Sequence, residues 1–258
     1  MIQTVSAQKW EVGGFLGGSN YAGDLARVIV PSETNFSAGA FGKYNFTSTW
    51  SYRFGINYAK ISGGDYNFSE YKNRNLDFFS PIWELDNRLE FNYRKFGIRP
   101  REHKSTPYVF TGLNVFYFNP KTRYNGTIVE LHRYGTEGQK LDGGRNYLLA
   151  GISIPLGIGY RIAFTENWVL GAEIGFRKTF TDYLDDVSKT YPDFALLLEK
   201  QGNTAVQLSD RSAGVEPFER KADSGDLRGN PNAKDWYLMA GITLSYRFTP
   251  IRCGFSNY

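Results

Sequence analysis

Few residues in this chain are of types that could carry out chemistry. The chain has two histidines, His103 and His132, and a single cysteine, Cys253. A Ser–His–acid hydrolase needs hydrogen-bond contact between its members, yet the strand pattern described below places the two histidines at opposite ends of the protein, roughly 25 Å apart. The acidic cluster at residues 182–186 lacks the spacing and the glycine of a calcium loop. The sequence therefore predicts no catalytic residue, no metal site and no cofactor.

Cys253 is the remaining candidate for chemistry. It lies in the segment 249–258, after the last strand pattern, where the topology below predicts a periplasmic location. A single cysteine rules out an internal disulfide, and a lone thiol in an oxidising compartment indicates either a disulfide to another chain or a free reactive thiol. Both alternatives remain open from the sequence.

Two segments, 146–164 and 236–248, alternate between an apolar row and a row that is mostly polar or small. In the second segment one face carries Trp236, Leu238, Ala240, Ile242, Leu244, Tyr246 and Phe248. A period of two predicts a strand with one face in an apolar solvent. Strands in ordinary sheets run ~5 to 6 residues, whereas crossing a bilayer takes about 9 to 11 tilted residues. These segments are long enough for the second case.

Composition agrees with strands that cross a membrane. Aromatic residues make up 17% of the chain, and mean hydropathy is −0.43. No apolar run approaches the ~18 residues of a membrane helix, so a closed barrel is the remaining way to satisfy backbone groups within lipid. The net charge is +4, with basic and acidic residues interspersed, which gives no nucleic-acid footprint.

Eight alternating segments predict the strands of one barrel: 9–16, 36–46, 50–61, 74–94, 107–118, 145–164, 168–180 and 235–248. The connections 47–49 and 165–167 are tight, whereas 17–35, 62–73, 119–144 and 181–234 are long and polar. Short connections of such barrels are periplasmic and long ones extracellular, so both termini are predicted in the periplasm. The connection 95–106 is periplasmic by this count, although it is fairly long and basic. Residues 192–201 predict a short helix in the last loop.

The fold class predicted is therefore all-β: an eight-stranded antiparallel transmembrane β-barrel with long extracellular loops, in the outer membrane. The small residues Val5, Ser6 and Ala7 fit a signal-peptidase site, so we interpret residues 1–7 as a signal-peptide remnant, 8–248 as the barrel and 249–258 as a periplasmic tail. The alternative for residues 1–7 is an arbitrary flexible terminus.

The inward rows of the predicted strands are charged. They contain Arg53, Glu84, Arg88, Glu90, Arg145, Arg161, Glu173, Arg177 and Arg247. The interior of an eight-stranded barrel is just wide enough for side chains to fill it, and a buried charge without a partner is costly. We expect these groups to pair across the interior as a structural network, because a water-filled pore would need more strands.

Several motifs are shared with a known family. They are residues 17–24 (GGSNYAGD), 90–92 (EFN), 107–108 (PY), 137–138 (EG), 154–159 (IPLGIG), 177–191 (RKTFTDYLDDVSKTY), 228–229 (RG) and 235–237 (DWY). On these motifs the chain resembles the PorG-like (DUF6089-type) outer-membrane barrels of the type IX secretion system of Bacteroidota. The resemblance implies a non-enzymatic component of the type IX protein secretion machinery, and of the gliding machinery in gliding bacteria. It also implies docking to a periplasmic ring built from a lipoprotein and its partner, of the PorK and PorN or the GldK and GldN type.

Topology, rather than the family, predicts which surface would dock that ring. The predicted periplasmic face carries Arg94, Lys95, Arg99, Arg101, Lys104, Arg252 and Cys253, and Cys253 could link the partner by a disulfide. The alternative for the basic turn is contact with lipid headgroups or solvent. A second function class also remains open, an adhesin or ligand-binding barrel that acts through its extracellular loops. An enzymatic barrel is a weaker hypothesis, because the loops place no catalytic group beside a histidine.

Overall fold

The framework of the molecule is a ring of antiparallel strands. The computed structural model describes residues 10–70, 73–98, 100–214 and 222–248. The strands are β1 (Trp10–Ala22), β2 (Asn35–Asn45), β3 (Trp50–Gly64), β4 (Asp77–Asn92), β5 (Ser105–Gly112), β6 (Asn114–Phe118), β7 (Lys121–Tyr124), β8 (Thr127–Glu130), β9 (Ala150–Ala163), β10 (Trp168–Thr179) and β11 (Trp236–Arg247). The helices are α1 (Leu131–Tyr134), α2 (Phe194–Gln201) and α3 (Asn203–Ser209).

Eight wall strands close the ring, each beside its neighbour in the chain. The first and last strands close the seam in one register, from Glu11 opposite Arg247 to Ala22 opposite Trp236. The fifth wall strand consists of β5 and β6, which are interrupted at Leu113. At this break the Leu113 amide donates to the Asn87 carbonyl at 3.0 Å. The predicted eight-stranded antiparallel barrel is confirmed.

Side chains alternate between the two faces of the wall. Along β10, the outward residues Trp168, Leu170, Ala172, Ile174 and Phe176 are exposed, and the residues between them are buried. Large apolar side chains cover the outer face of every wall strand, far beyond the few hundred Å² of apolar patch usual on a protein in water. The outer wall therefore fits an apolar solvent. None of the helices in the described part of the chain is long and apolar enough to cross a membrane.

The connections divide between the two rims of the barrel. Residues 46–49, 93–104 and 164–167 join strands at one end, which we call the short-turn rim. Residues 23–34, 65–76, 119–149 and 180–235 join them at the other end. The long connections pack together over the barrel mouth, where Leu25, Leu131, Leu184 and Leu208 share one buried cluster with strand residues such as Phe118. We call this folded end the cap.

The strand bounds differ from the sequence prediction at several ends. The first strand continues to Ala22 instead of residue 16, because Gly17 and Gly18 lie within the β1–β11 and β1–β2 ladders and do not form a turn. Strand β9 begins at Ala150 instead of residue 145, so Arg145 is exposed in a connection and its predicted inward position is wrong. The physical reason is that the neighbouring Tyr147 leaves the strand and stacks on Tyr183 in the cap, at 4.3 Å between ring centroids.

The helix predicted at residues 192–201 is present as α2, two residues shorter at its start. The Asp193 carboxylate accepts hydrogen bonds from the amides of Ala195 and Leu196, which satisfies two of the free amides of the first turn. Gly202 follows the last helical residue at a φ of 84°. Leu197, the fully buried residue of α2, packs in a small cluster with Ala205 and Val206 of α3, so the helix is held by its neighbour in the cap.

Candidate functional site

Glu173 lies near the centre of the barrel interior and holds two cations. Its carboxylate accepts from Arg88 Nη2 at 2.7 and 2.8 Å, from Arg53 Nη1 at 3.2 Å and from the Tyr108 hydroxyl at 2.6 Å. All four side chains are buried. Because a buried charge is costly unless it is paired and hydrogen-bonded, this arrangement of three strands around one carboxylate pins opposite sides of the wall together.

Two further carboxylates continue the network toward the short-turn rim. Glu90 pairs with Arg161 at 2.7 Å and with Arg88 at 3.3 Å. Glu11 pairs with Lys43 at 2.7 Å and with Arg247 at 2.6 Å. Toward the cap, Glu84 forms the last link, with Arg177 Nε at 3.4 Å, and it also accepts from the Tyr237 hydroxyl at 2.5 Å.

Aromatic rings fill the space between the charges. The guanidinium of Arg53 lies 3.6 Å from the centre of the Phe41 ring, that of Arg88 lies 4.0 Å from Phe110, and that of Arg161 lies 3.6 Å from Tyr108. Such contacts add cation–π attraction and exclude water from the ion pairs. Side chains therefore fill the interior of the barrel, which does not have the form of a pore.

Of the nine residues expected to face inward, Arg145 is exposed in a connection. The structure places the other eight inside the barrel: Arg53, Glu84, Arg88, Glu90, Arg161, Glu173, Arg177 and Arg247. It adds Glu11, Lys43 and Asp86, which the sequence analysis missed. The signal that could have found them is alternation, because Asp86 lies midway between two inward residues and Lys43 lies two positions from inward Phe41.

A second buried polar cluster fixes the cap to the barrel. The Tyr21 hydroxyl lies 2.7 Å from a carboxylate oxygen of Asp185 and 2.7 Å from one of Asp235. A phenol has one proton to donate, so one of these carboxyl groups must supply a proton of its own. Burial is the main cause that raises the pKa of Asp185, and the charge of Asp24 is the second. Burial also raises the pKa of Asp235, with the charge of Asp185 as the second cause.

Two arginines join the loops of the cap to each other. Arg228 pairs with Glu137 at 3.2 Å and donates to the carbonyls of Asp186 and Ser209 at 2.5 and 3.1 Å. Arg74 pairs with Asp65 at 2.6 Å and donates to the Arg228 carbonyl at 2.5 Å. Arg74 also donates to the Asp24 carbonyl at 3.2 Å, so each long connection contributes to one bonded unit.

Further acids of the cap hold their protons unusually tightly. Burial raises the pKa of Asp186 to about 6, against the opposing charge of Arg228. Asp186 accepts from the hydroxyls of Thr136 and of Tyr147, the latter at 2.6 Å. Burial likewise raises the pKa of Asp182 to about 6.

The two histidines lie at opposite ends of the molecule. His132 is in α1 of the cap, where a ring nitrogen lies 2.9 Å from the Tyr147 carbonyl. His103 is exposed in the connection 93–104. Among the described residues, no group of three or more His, Cys, Asp or Glu side chains is arranged to hold a metal ion.

The connection 93–104 folds back under the barrel, and we call it the basic turn. Phe96 is buried at the short-turn rim against Ala163 and Val169, and the Arg247 guanidinium lies 4.4 Å from the centre of its ring. The Phe96 amide donates to the Ser48 carbonyl at 2.9 Å. Phe96 thus closes the interior network at the short-turn rim, and its hydrogen bond joins the basic turn to the connection 46–49.

The structure places four of the expected docking residues on this turn. Arg94, Lys95, Arg101 and Lys104 are exposed there. The His103 amide donates to the Lys95 carbonyl at 2.7 Å, which draws the two arms of the turn together. The remaining expected docking residues Arg99, Arg252 and Cys253 lie outside the described residues, as do the segments 1–7 and 249–258.

A closed eight-stranded ring, an apolar outer wall and a charged, filled interior define a barrel of the outer-membrane type. The chain belongs to the family described as Domain of unknown function (DUF6089), which matches residues 1–204. The match ends within α3, so the closing strand β11 lies beyond it. The comparison with curated proteins gave no match.

Several solved structures are similar to this chain. Neisserial surface protein A is 12% identical, with a TM-score of 0.43, and the similarity covers 93% of this chain and 97% of that one. The outer membrane protein OprG from Pseudomonas aeruginosa is 8% identical, with a TM-score of 0.43 and coverage of 94% and 100%. Outer Membrane Protein W of E. coli is 12% identical, with a TM-score of 0.38 and coverage of 95% and 100%. These values are too low to carry an argument about function.

Proposed function

We propose that this chain is a non-enzymatic outer-membrane barrel of the PorG type, which docks the periplasmic lipoprotein ring of the type IX secretion machinery. The partner would be of the PorK and PorN type, or of the GldK and GldN type in a gliding bacterium. The resemblance of the sequence motifs supports the identity of the machinery. The outer wall, apolar on every strand, supports a position in the membrane.

Two observations support the docking role: the interior is filled, and buried Phe96 anchors the basic turn to the short-turn rim. A barrel filled by ion pairs around Glu173 offers no path through its centre. A role carried out by a rim of the barrel fits such an interior. At the short-turn rim, Phe96 is 5% exposed and holds the turn that presents Lys95 and Arg101, and a preformed charged surface loses little entropy on binding.

Charge reversal on the basic turn tests this role. In detergent-solubilised native membranes, Lys95→Glu/Arg101→Glu should lose the co-purifying periplasmic lipoprotein, because like charges facing a complementary surface repel. The matched control is Arg123→Glu/Lys189→Glu, which reverses two exposed charges of the cap. Retention of the lipoprotein by the first variant, or equal loss from both, would overturn docking through this turn.

The segment 249–258 provides a separate test of the same face. Deleting it should weaken recovery of the lipoprotein, and non-reducing electrophoresis should distinguish wild type from Cys253→Ser if Cys253 forms a disulfide to the partner. Identical migration of the two proteins would exclude that disulfide and leave the docking role to be decided by charge reversal.

The second candidate function is an adhesin or ligand-binding barrel that acts through the cap. It is favoured by exposed apolar side chains on the cap, among them Val28, Leu148 and Leu227 at 61, 80 and 72% exposure. Substituting these three residues by Ser should abolish surface binding if the cap is the functional face. If the short-turn rim is the functional face, the substitutions should leave lipoprotein recovery unchanged.

A further inference from the structure

The outer wall contains an apolar groove. Two adjoining concavities of about 880 and 780 Å³ share Phe91, Val109, Ile158 and Ile174 and run across β4, β5, β9 and β10. Almost all of their exposed surface is apolar. We call the pair of concavities the wall groove.

A small outward residue lines the larger of the two concavities. Ala172 of β10 lies between Tyr160 of β9 and Ile242 of β11, which are its register partners on the two neighbouring strands. Both partners are large and exposed. Because the methyl group of Ala172 lies between these two longer side chains, the outer surface is recessed at this position of β10.

The wall groove runs to the short-turn rim, where its chemistry changes. Tyr93 and Pro107 line its end, and the Tyr160 hydroxyl donates to Ser105 Oγ at 2.9 Å. Directly beyond these residues in the chain come Arg94 and Lys104, both exposed.

Backbone hydrogen bonds fix the chain at each of these two cations. The Arg94 amide donates to Thr106 Oγ1 at 3.0 Å, and the Lys104 carbonyl accepts from the Ala163 amide at 2.7 Å. The order from mid-wall to rim is therefore apolar, then hydroxyl-bearing, then cationic. A membrane lipid has the same order, from acyl chains through ester groups to a phosphate.

We propose that the wall groove is a binding site for an anionic phospholipid, with acyl chains against Ala172 and the headgroup phosphate between Arg94 and Lys104. This proposal rests on the membrane position stated under the proposed function. Charge complementarity selects the occupant, because each Lys or Arg near a membrane surface favours anionic lipid by roughly fivefold. The lipid uses Arg94 and Lys104, which leaves Lys95 and Arg101 for docking.

Native mass spectrometry of the full chain measures this selectivity. The detergent-purified barrel is incubated with equal amounts of phosphatidylglycerol and phosphatidylethanolamine, and the retained lipids are counted. Wild type should retain phosphatidylglycerol in preference, and Arg94→Ala/Lys104→Ala should reduce that preference by roughly tenfold or more. Ala172→Phe should reduce retention of both lipids, because the added ring fills the recess at this position of β10.

Matched control variants exist on other parts of the same wall. Lys60→Ala/Lys178→Ala removes two cations that lie over aromatic rings near the cap, and Ala40→Phe enlarges an exposed small residue of β2, on the opposite side of the ring. Neither should change lipid selectivity. Equal retention of the two lipids by wild type, or control variants as effective as the groove variants, would overturn the proposal.

The result can be separated from a failure of the proposed function. Lipid selectivity is measured with Arg94 and Lys104, whereas lipoprotein recovery is measured with Lys95 and Arg101. A barrel that recovers the lipoprotein and shows no lipid preference would overturn the lipid site alone. A wild-type barrel that shows the lipid preference but recovers no lipoprotein would overturn the docking role alone.

Discussion

Individual charges inside the barrel are held by partners from distant parts of the chain. Glu173 of β10 meets Arg53 of β3 and Arg88 of β4, at 3.2 and 2.7 Å. Alternation along each strand predicted that these residues face inward, because successive side chains of a strand point to opposite faces of the sheet. Alternation could not predict which charged residues form ion pairs with each other. Those pairs depend on strand register and on the position of each residue along the barrel axis.

Removing one charge of this network should destabilise the barrel strongly. Glu173→Gln keeps the size of the side chain but leaves Arg53 and Arg88 short of a carboxylate, so the free energy of unfolding should fall by about 3 kcal/mol or more. Urea unfolding in lipid vesicles, followed by tryptophan fluorescence, measures the change. The control Glu130→Gln breaks partly exposed pairs with Lys121 and Arg133 and should cost no more than about 1 kcal/mol. Equal effects would contradict a structural role for the interior network.

The stability of the cap should depend on pH through its buried acids. The pKa of Asp186 is about 6 in the folded cap, against an ordinary value of 3.8, so the folded state holds the proton more tightly than the unfolded state does. The stability that this group contributes is fully present below pH 4 and is lost as the pH rises through about 6. The cap should therefore open more readily at pH 8 than at pH 5.

Hydrogen exchange of cap amides, corrected for the intrinsic pH dependence, measures that opening. Asp186→Asn should reduce the pH slope, by about 1 kcal/mol between pH 5 and pH 8. Asn suits the site because the backbone of Asp186 has a φ of 66°, which Asn tolerates well among non-glycine residues. An unchanged slope in this variant would show that Asp186 does not hold its proton.

At the scale of elements, the sequence predicted the barrel strands and their order but underestimated their reach. Strand β1 continues through Gly17, which sequence patterns assign to a turn, because it passes within van der Waals distance of the closing strand. A Cβ at Gly17 would lie 2.1 Å from the Ala240 carbonyl oxygen. The fold of the cap was beyond sequence patterns, since α1, α3 and the β7–β8 hairpin are held by contacts between loops distant in the chain.

The seam between the first and last strands should be sensitive at this glycine. Gly17→Ala forces the two backbones apart, so we expect a loss of about 1 to 3 kcal/mol in the free energy of unfolding. Gly14→Ala, three residues earlier on the same strand, is the matched control, because its Cβ would meet nothing nearer than the Gly39 carbonyl oxygen at 3.6 Å. Urea unfolding of the two variants in vesicles would contradict this account of the seam if their midpoints coincide.

The whole molecule is a closed cylinder with two unlike ends. The cap is a folded unit joined by Arg74 and Arg228, and the short-turn rim is closed by Phe96. Between them lies a filled interior, and around them an apolar wall. The two proposals, docking and lipid binding, both require one orientation, with the cap outside the cell and the short-turn rim in the periplasm.

Cysteine labelling on intact cells tests that orientation most directly. In a Cys253→Ser background, Ser224→Cys places a thiol on the cap and His103→Cys places one on the short-turn rim, both at exposed positions. A maleimide that cannot cross the outer membrane should label the cap position in intact cells, and the rim position once that membrane is permeabilised. Labelling of the rim position in intact cells, with the cap position protected, would contradict the account.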